Sequence, residues 1–358
     1  MTEHEIEQAE KSSENKKRSV LTYFAKWPDR FSDDVRMVEK LINNAPCFSG
    51  RRDNEEIRNE LLFYRIGYGF HPEEYVCYEL EGKTLEERKG FISSGECVLD
   101  VLRMNDFRDS QILNNKGLSY KSFKKYYKRD AIYIIRVNDY DAFLDFVHRH
   151  PVFVKKNVYE AMGRSVELID IRTCGMSEKE YFESLLRISP HLLEERVIQS
   201  EVMARLHPAS VNTVRCITFN TRHGIKDPYY FMKIGQAGTF VDNGGAGGIL
   251  VGIDNDTGRL NTDGYDELNR KYTFHPDSQI PFIGYQLPEW EQMKAICKEI
   301  SAQLPGVKYI GWDMAHTDDG WVIIEGNGAS QMIGPQTVFK RGCKAEVEAL
   351  MADMDLIV

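Results

Sequence analysis

The chain lacks any apolar run approaching the ~20 residues a helix needs to cross a bilayer. Its first stretch, Met1 to Arg18, is polar and charged with no apolar centre, so it does not read as a secretory signal. It reads as a disordered tail. No Cys-x-x-Cys pair occurs. The seven cysteines, Cys47, Cys77, Cys97, Cys174, Cys216, Cys297 and Cys343, are scattered and odd in number. That usage fits reduced thiols in the cytoplasm rather than a disulfide framework. Positive charge is also short: the net charge of −9 argues against a general binder of nucleic acid or anionic membranes. There is no Gly-x-x-x-x-Gly-Lys-Ser/Thr phosphate loop. Gly67-Tyr68-Gly69 is not a dinucleotide fingerprint, because Pro72 stands where the third glycine belongs. No Gly-x-Ser-x-Gly elbow and no His-x-x-x-His helix is found. His71, His150, His207 and His275 each precede a proline, where extended backbone is favoured. Internal repeats and low-complexity linkers are missing too.

What is present is a soluble globular composition, 42% hydrophobic and 28% charged over 358 residues, long enough for two or three domains. Asp33 to Asn43 carries Val35, Val38, Leu41 and Ile42 at helical spacing. From Ala131 short apolar runs suited to buried strands begin: 131–135, 152–154 and 166–171, with a helix expected over 139–148. Ser177 and Glu180 form a capping box for a helix reaching Ile188. Strands are expected at 192–198 and 211–220. Trp290, Met293, Ile296, Cys297 and Ile300 make the apolar stripe of a helix over 289–303, bracketed by Pro288 and Pro305. Strands alternating with helices, plus late hairpins, indicate an α+β or α/β enzyme.

The densest chemistry lies between Gly311-Trp312-Asp313 and Glu325-Gly326-Asn327. The stretch reads as strand, tight turn, strand. Asp313, Glu325 and Asn327 offer hard oxygen ligands of the kind Mg2+ prefers. Glu325 and Asn327 share a strand face because side chains alternate. A three-residue loop, Asp318-Asp319-Gly320, pairs Thr317 with Trp321 and sets Asp313 opposite Glu325 and Gly311 opposite Asn327. Small Ala315 then leaves room for ions. A two-residue Asp319-Gly320 loop would instead turn Asp313 away. The bland alternative is an ordinary hairpin whose acids face water.

Other signals are weaker. Asp242 to Gly248 is rich in glycine ahead of the strand Ile249–Ile253, which suits a loop that a ligand approaches closely; a long hairpin turn is the alternative. Lys155 ends a buried run, with Gly163 and Ser165 following as material for a turn over phosphates. Lys121 to Arg129 interleaves basic and aromatic residues and reads as a solvated helix face rather than an RNA-binding one.

Taken in order, these pieces resemble the ATP-grasp superfamily, and most closely its sugar-transfer-associated family. The carrying residues are Leu193 to Gln199, Ser210 to Arg215, Val241 to Gly245, Gly311 to Asp313 and Glu325 to Asn327, within a likeness spanning roughly Asn114 to Gln336. The resemblance implies an ATP-grasp fold, two α+β subdomains clamping ATP, after a mainly helical N-terminal region. The implied divisions are a tail at 1–18, a helical region at 19–115, a central subdomain at 116–195 and a C-terminal subdomain with the metal site at 196–358.

It also implies roles. Lys116 and Lys155 are similar to the lysines that reach the phosphates, with Ser165 in the turn above them. Glu194 and Val197 lie on the hinge used against adenine, and Glu201 matches the acid that holds the ribose. Arg215 and Lys233 are similar to cations facing the γ-phosphate or acyl-phosphate. Asp313, Glu325 and Asn327 match the ligands of Mg2+. The implied reaction joins a small-molecule carboxylate to an amine through an acyl-phosphate, in the cytoplasm and beside glycan-biosynthesis enzymes. Two other readings are a phosphotransferase and a non-catalytic nucleotide-binding partner of a glycosyltransferase. The segment 157–164 holds a single glycine where many relatives have more, and Lys233 stands where close relatives carry arginine.

Overall fold

The computed structural model describes residues 18, 21–22, 25–26, 28–159, 166–187, 190–236 and 248–357. The expected tail up to residue 17, Ser165 and the glycine-rich stretch 237–247 lie outside the described residues.

Ser177 and Glu180 cap a helix as the sequence predicts. The Ser177 hydroxyl accepts from the Glu180 N–H at 3.3 Å, and the Glu180 carboxylate accepts from the Ser177 N–H at 2.9 Å. The helix so started, Glu178–Leu186, and its neighbour Tyr140–Arg149 cover one face of a four-stranded antiparallel sheet. Its strands are β1 (Ala131–Ile134), β2 (Val152–Asn157), β3 (Glu167–Asp170) and β4 (His191–Glu195), in the order β1-β4-β2-β3. Phe143, Phe146, Tyr181 and Phe182 from the helices meet Phe153 and Leu193 from the strands. Alternation then fixes the other face: Val154, Lys156, Leu192 and Glu194 point away from those helices. The fourth strand stops at Glu195, short of the expected Ile198.

The larger sheet has seven strands in the order β11-β10-β5-β6-β7-β8-β9. They are β5 (Thr213–Thr221), β6 (Gly224–Ile234), β7 (Ile249–Ile253), β8 (Leu260–Tyr265), β9 (Lys271–Tyr272), β10 (Tyr309–Thr317) and β11 (Gly320–Asn327). Helix Trp290–Ala302 lies on one face. Its Met293, Cys297 and Ile300 pack with Val214, Cys216, Tyr230, Met232, Trp312 and Met314. Each apolar side chain removed from water here contributes about 1.5–3 kcal/mol. Because Val214, Met232, Trp312 and Met314 take the core face, Arg215, Lys233 and Asp313 emerge together on the opposite face.

The chain divides into two compact units built from discontinuous stretches. One holds the described residues of 1–100, 265–271 and 331–349; the other holds 101–264, 272–330 and 350–358. The first is helical, with Ser32–Asn44, Asn54–Tyr68 and Pro72–Cys77 sharing a core of Val38, Leu41, Leu61, Tyr75 and Val76. Buried Gln336 locks it by accepting from the Ile92 N–H at 2.8 Å and donating to the Ile92 carbonyl at 2.9 Å. The smaller sheet and strands β5, β6, β7, β10 and β11 of the larger one belong to the second unit. Among the described residues, no helix is long and apolar enough to cross a membrane.

Candidate active site

The β10–β11 hairpin sets Asp313 opposite Glu325 and Gly311 opposite Asn327, as expected, but by another route. The loop is two residues, Asp318-Asp319, and Thr317 pairs with Gly320. This corrects the three-residue loop inferred from Gly320. The Thr317 hydroxyl explains the tighter turn: it donates to the Gly320 carbonyl at 3.0 Å and accepts from the Asp319 N–H at 3.2 Å. Gly320 still occupies the left-handed region at φ +87°. Continued without interruption, the register Met314↔Ile323 would place Glu325 opposite Trp312, on the core face. A bulge between Asp313 and Met314 absorbs Ile324 as an extra residue on β11 and returns Glu325 to the face of Asp313.

Two glycines make this hairpin possible. A Cβ on Gly326 would lie 2.5 Å from Trp312 Cζ3, so the indole packs over bare backbone. A Cβ on Gly311 would meet Ser330 Oγ at 2.4 Å and Arg215 Cδ at 3.1 Å, so Gly311 opens the space that Arg215 crosses.

Asp313 is 2% exposed and fully engaged. Arg215 donates from Nε to Oδ1 at 2.5 Å and from Nη2 to Oδ2 at 2.7 Å, a two-pronged pairing. Lys233 donates to Oδ2 at 3.0 Å, and Arg215 Nη1 reaches Ser330 Oγ at 2.8 Å. Burial raises the Asp313 pKa, and the charges of Arg215 and Lys233 more than reverse it, leaving the carboxyl at about 2. For Arg215, burial alone would lower the pKa, and Asp313 outweighs it and holds the guanidinium above its ordinary value. Beside them, Asn327 Nδ2 donates to Glu325 Oε1 at 3.1 Å. Oxygen donors from Asp313, Glu325 and Asn327 therefore share one face, with Asp313 ionised at neutral pH. That donor set fits Mg2+.

A second buried ionic group lies on the inner face of the smaller sheet. Glu194, 3% exposed, accepts from Arg129 Nε and Nη2 at 3.1 and 2.9 Å and from Lys156 Nζ at 2.9 Å. Burial raises the Glu194 pKa, and the charges of Arg129 and Lys156 bring it below the usual carboxylate value. Arg129 also donates to the Ile323 carbonyl at 2.6 Å, next to the bulge, and so ties the two sheets together.

The other sequence-predicted residues are placed as follows. Lys116 opens the helix Lys116–Tyr127, and its backbone N–H reaches the Val158 carbonyl at 3.3 Å. Lys155 lies on the helix-covered face of the sheet, paired with Glu167 at 2.7 Å; its neighbour Lys156 is the lysine on the face of Glu194. Val197 is half-buried in the segment after β4, and Glu201 is exposed at the first position of the helix Glu201–Ala204. Ser200, between them, is pinned to β10: its N–H donates to the His316 carbonyl at 2.8 Å and its hydroxyl meets His316 Nδ1 at 2.8 Å.

A sequence profile of the sugar-transfer-associated ATP-grasp family matches residues 102–351 of this chain. The chain belongs to that family. The α+β architecture with two sheets and a helical N-terminal region is accordingly an ATP-grasp fold. Among solved structures, it is similar to D-alanyl-alanine synthetase A of Vibrio cholerae O1 biovar eltor str. N16961, with 11% identity and a TM-score of 0.45 over 70% of this chain and 67% of that one. It is similar also to the D-alanine-D-alanine ligase of Helicobacter pylori, with 15% identity and a TM-score of 0.44 over 70% and 64% of the two chains. The ATP-grasp ligase PsnB, solved with a phosphomimetic variant of its minimal precursor, Mg and ADP, matches with 13% identity and a TM-score of 0.42 over 70% and 60%. A curated protein of Pyrococcus abyssi (strain GE5 / Orsay), provisionally named an HTH-type transcriptional regulatory protein, is 27% identical over 191 residues. That match covers 49% of this chain and 59% of that protein, less than two thirds of its length.

Three residues of this family member escaped the sequence reading. Arg129 sits in a basic, aromatic stretch whose sequence reads as solvated, yet it is buried and bonded to both sheets. The sequence points to Lys155 rather than Lys156; the burial of Phe153 decides which lysine faces inward, and the apolar run alone does not reveal which face the helices cover. Ser330, the further partner of Arg215, carries no motif.

Proposed function

We propose that the chain is an ATP- and Mg2+-dependent carboxylate–amine ligase. The observation that carries this reading is the convergence of Asp313, Glu325 and Asn327 with Arg215 and Lys233 on one face of the larger sheet. Asp313, Glu325 and Asn327 would hold Mg2+ on ATP, which supplies neutralisation of the phosphate charge. Arg215 and Lys233, released from Asp313, would face the γ-phosphoryl group as it moves. Transfer of that group needs positioning and charge stabilisation more than covalent help. A carboxylate oxygen of the substrate takes the phosphoryl group and ADP leaves. The amine nitrogen then attacks the acyl carbon, the C–O bond to phosphate breaks, and the amine loses a proton as the amide forms.

On this reading Lys116 and one of the β2 lysines, Lys155 or Lys156, contact the phosphates, with Ser165 near them. The Lys156 placement on the Glu194 face favours Lys156. Glu194 and Val197 border adenine, and Glu201 binds the ribose hydroxyls. The description of the family as sugar-transfer-associated supports an acid or amine carried on a glycan precursor, made in the cytoplasm beside glycan-biosynthesis enzymes.

Hydroxylamine trapping tests the reaction. The full chain is incubated with Mg-ATP, hydroxylamine and panels of amino acids and sugar acids. A hydroxamate formed with ADP, and lost in Asp313→Ala, is the expected result. A stable phosphorylated product would make the protein a phosphotransferase. Absence of turnover, with nucleotide binding that survives Asp313→Ala and Glu325→Ala, would make it a binding module.

A further inference from the structure

Away from the acidic hairpin, two connections of the second unit bring His207, His275 and Asp277 together. One ligand atom from each lies within 4.8 Å of the others, and they form the sole such group of histidine, cysteine and acid among the described residues. The imidazoles are buried, 4% exposed for His207 and 0% for His275, with ring centroids 5.4 Å apart.

The hydrogen bonds around the two rings are unequal in a telling way. His275 Nε2 meets the Gly235 carbonyl at 2.8 Å, which makes it the protonated nitrogen and leaves Nδ1 as the acceptor. Nδ1 accepts from the N–H groups of Asp277 at 3.3 Å and Ser278 at 3.4 Å, both long bonds that a cation on Nδ1 would displace. A metal-binding histidine is typically oriented by one nitrogen donating to a backbone carbonyl, with the unprotonated nitrogen as the ligand. Neither nitrogen of His207 makes a hydrogen bond, although the ring is buried, and Ser210 Oγ and Ser278 Oγ nearby in sequence are likewise buried without a partner. Unsatisfied buried polar atoms are costly, so such a group calls for an occupant. Gly235 makes the approach possible: a Cβ there would fall 2.1 Å from Ser210 Oγ and 3.0 Å from His207 Cδ2.

His207 Nδ1 is 3.4 Å from Asp277 Oδ2. That separation is about the edge of a tetrahedron with metal–ligand bonds of about 2.1 Å, the length zinc makes to imidazole and carboxylate. The geometry points to a second metal site, in which His207, His275 and Asp277 bind a borderline divalent cation of the zinc type and leave one position open. Two nitrogens and one carboxylate suit zinc rather than Mg2+, whose preference is for oxygen. The site is separate from the Asp313 group in ligand chemistry and does not depend on the ligase reading. It joins the turn at residues 207–212, the end of β6 and the connection 273–281, and it stiffens the backbone next to Lys233.

The test uses the full chain stripped with a chelator and titrated with Zn2+ against a competing fluorescent chelator. It is run in the Glu325→Gln background so that zinc held by the acidic hairpin does not count. One zinc per chain is expected, with a rise in thermal midpoint, and Asp277→Asn should weaken binding by about tenfold or more. Asp277 is partly exposed, so this variant keeps the fold; His207→Gln is the second variant. Co2+ in place of Zn2+ should give visible bands of a four-coordinate site without a sulfur-to-metal charge-transfer band. No stoichiometric zinc, equal binding in the Asp277→Asn and His207→Gln variants, or a thiolate band would overturn the site.

Discussion

Individual charges decide how this site behaves. Glu194 neutralises Arg129 and Lys156 in a buried setting, so Glu194→Ala leaves two buried cations without their acid. A loss of about 3–5 kcal/mol in denaturant unfolding is expected. Lys155→Ala removes a pair with the half-exposed Glu167 and should change stability by less than about 1 kcal/mol. Activity of Lys155→Ala beside Lys156→Ala would show which β2 lysine serves the phosphates. At the hairpin, Asp313→Asn keeps the shape but removes the charge that Arg215 and Lys233 share. Mg-ATP turnover should fall about 10²–10³-fold with the fold intact by circular dichroism. The acids of this hairpin were legible in the sequence because their spacing matches strand alternation. The Arg129–Glu194–Lys156 group was not, because Arg129 and Glu194 are 65 positions apart and only sheet pairing joins them.

At the scale of elements, the hairpin shows how a correct pairing can arise from an unforeseen device. Thr317 closes a shorter loop than Gly320 alone suggested, and the bulge at Ile324 restores the register that the shorter loop would have shifted. Bulges leave no composition signal, so sequence alone fixes the two strands but not the residue absorbed between them. Helices with strong apolar stripes or caps, such as Glu178–Leu186 and Trp290–Ala302, were readable to within a few residues because those signals are local. The glycines give two separable tests. Gly326→Ala drives a methyl into the Trp312 ring and should cost about 1–3 kcal/mol of stability. Gly311→Ala presses on Ser330 and Arg215, so it should impair turnover more than it lowers the unfolding midpoint.

Across the whole molecule, two of the buried carboxylates, Asp313 and Glu194, lower stability as the solution turns acid. Both Asp313 and Glu194 have folded-state pKa values below their ordinary ones. Their contribution to stability is therefore complete above the ordinary carboxylate range and is lost as pH falls through the folded values. For Asp313 the window runs from 3.8 down to about 2. Unfolding free energy should decline across that window in the wild type and decline less steeply in Asp313→Asn. The discontinuous units, in which residues 265–271 and 331–349 join the N-terminal helices, were not legible either, because no linker composition marks those crossings. Titration calorimetry of a non-hydrolysable ATP analogue, with and without Mg2+, tests the central claim most directly and needs no knowledge of the acid or amine. The wild type should bind the nucleotide with a strong dependence on Mg2+, and Glu325→Gln should lose at least about tenfold of that Mg2+-dependent affinity. Equal, Mg2+-dependent binding by the wild type and Glu325→Gln, or no binding by the wild type, would contradict a metal–nucleotide site on this hairpin.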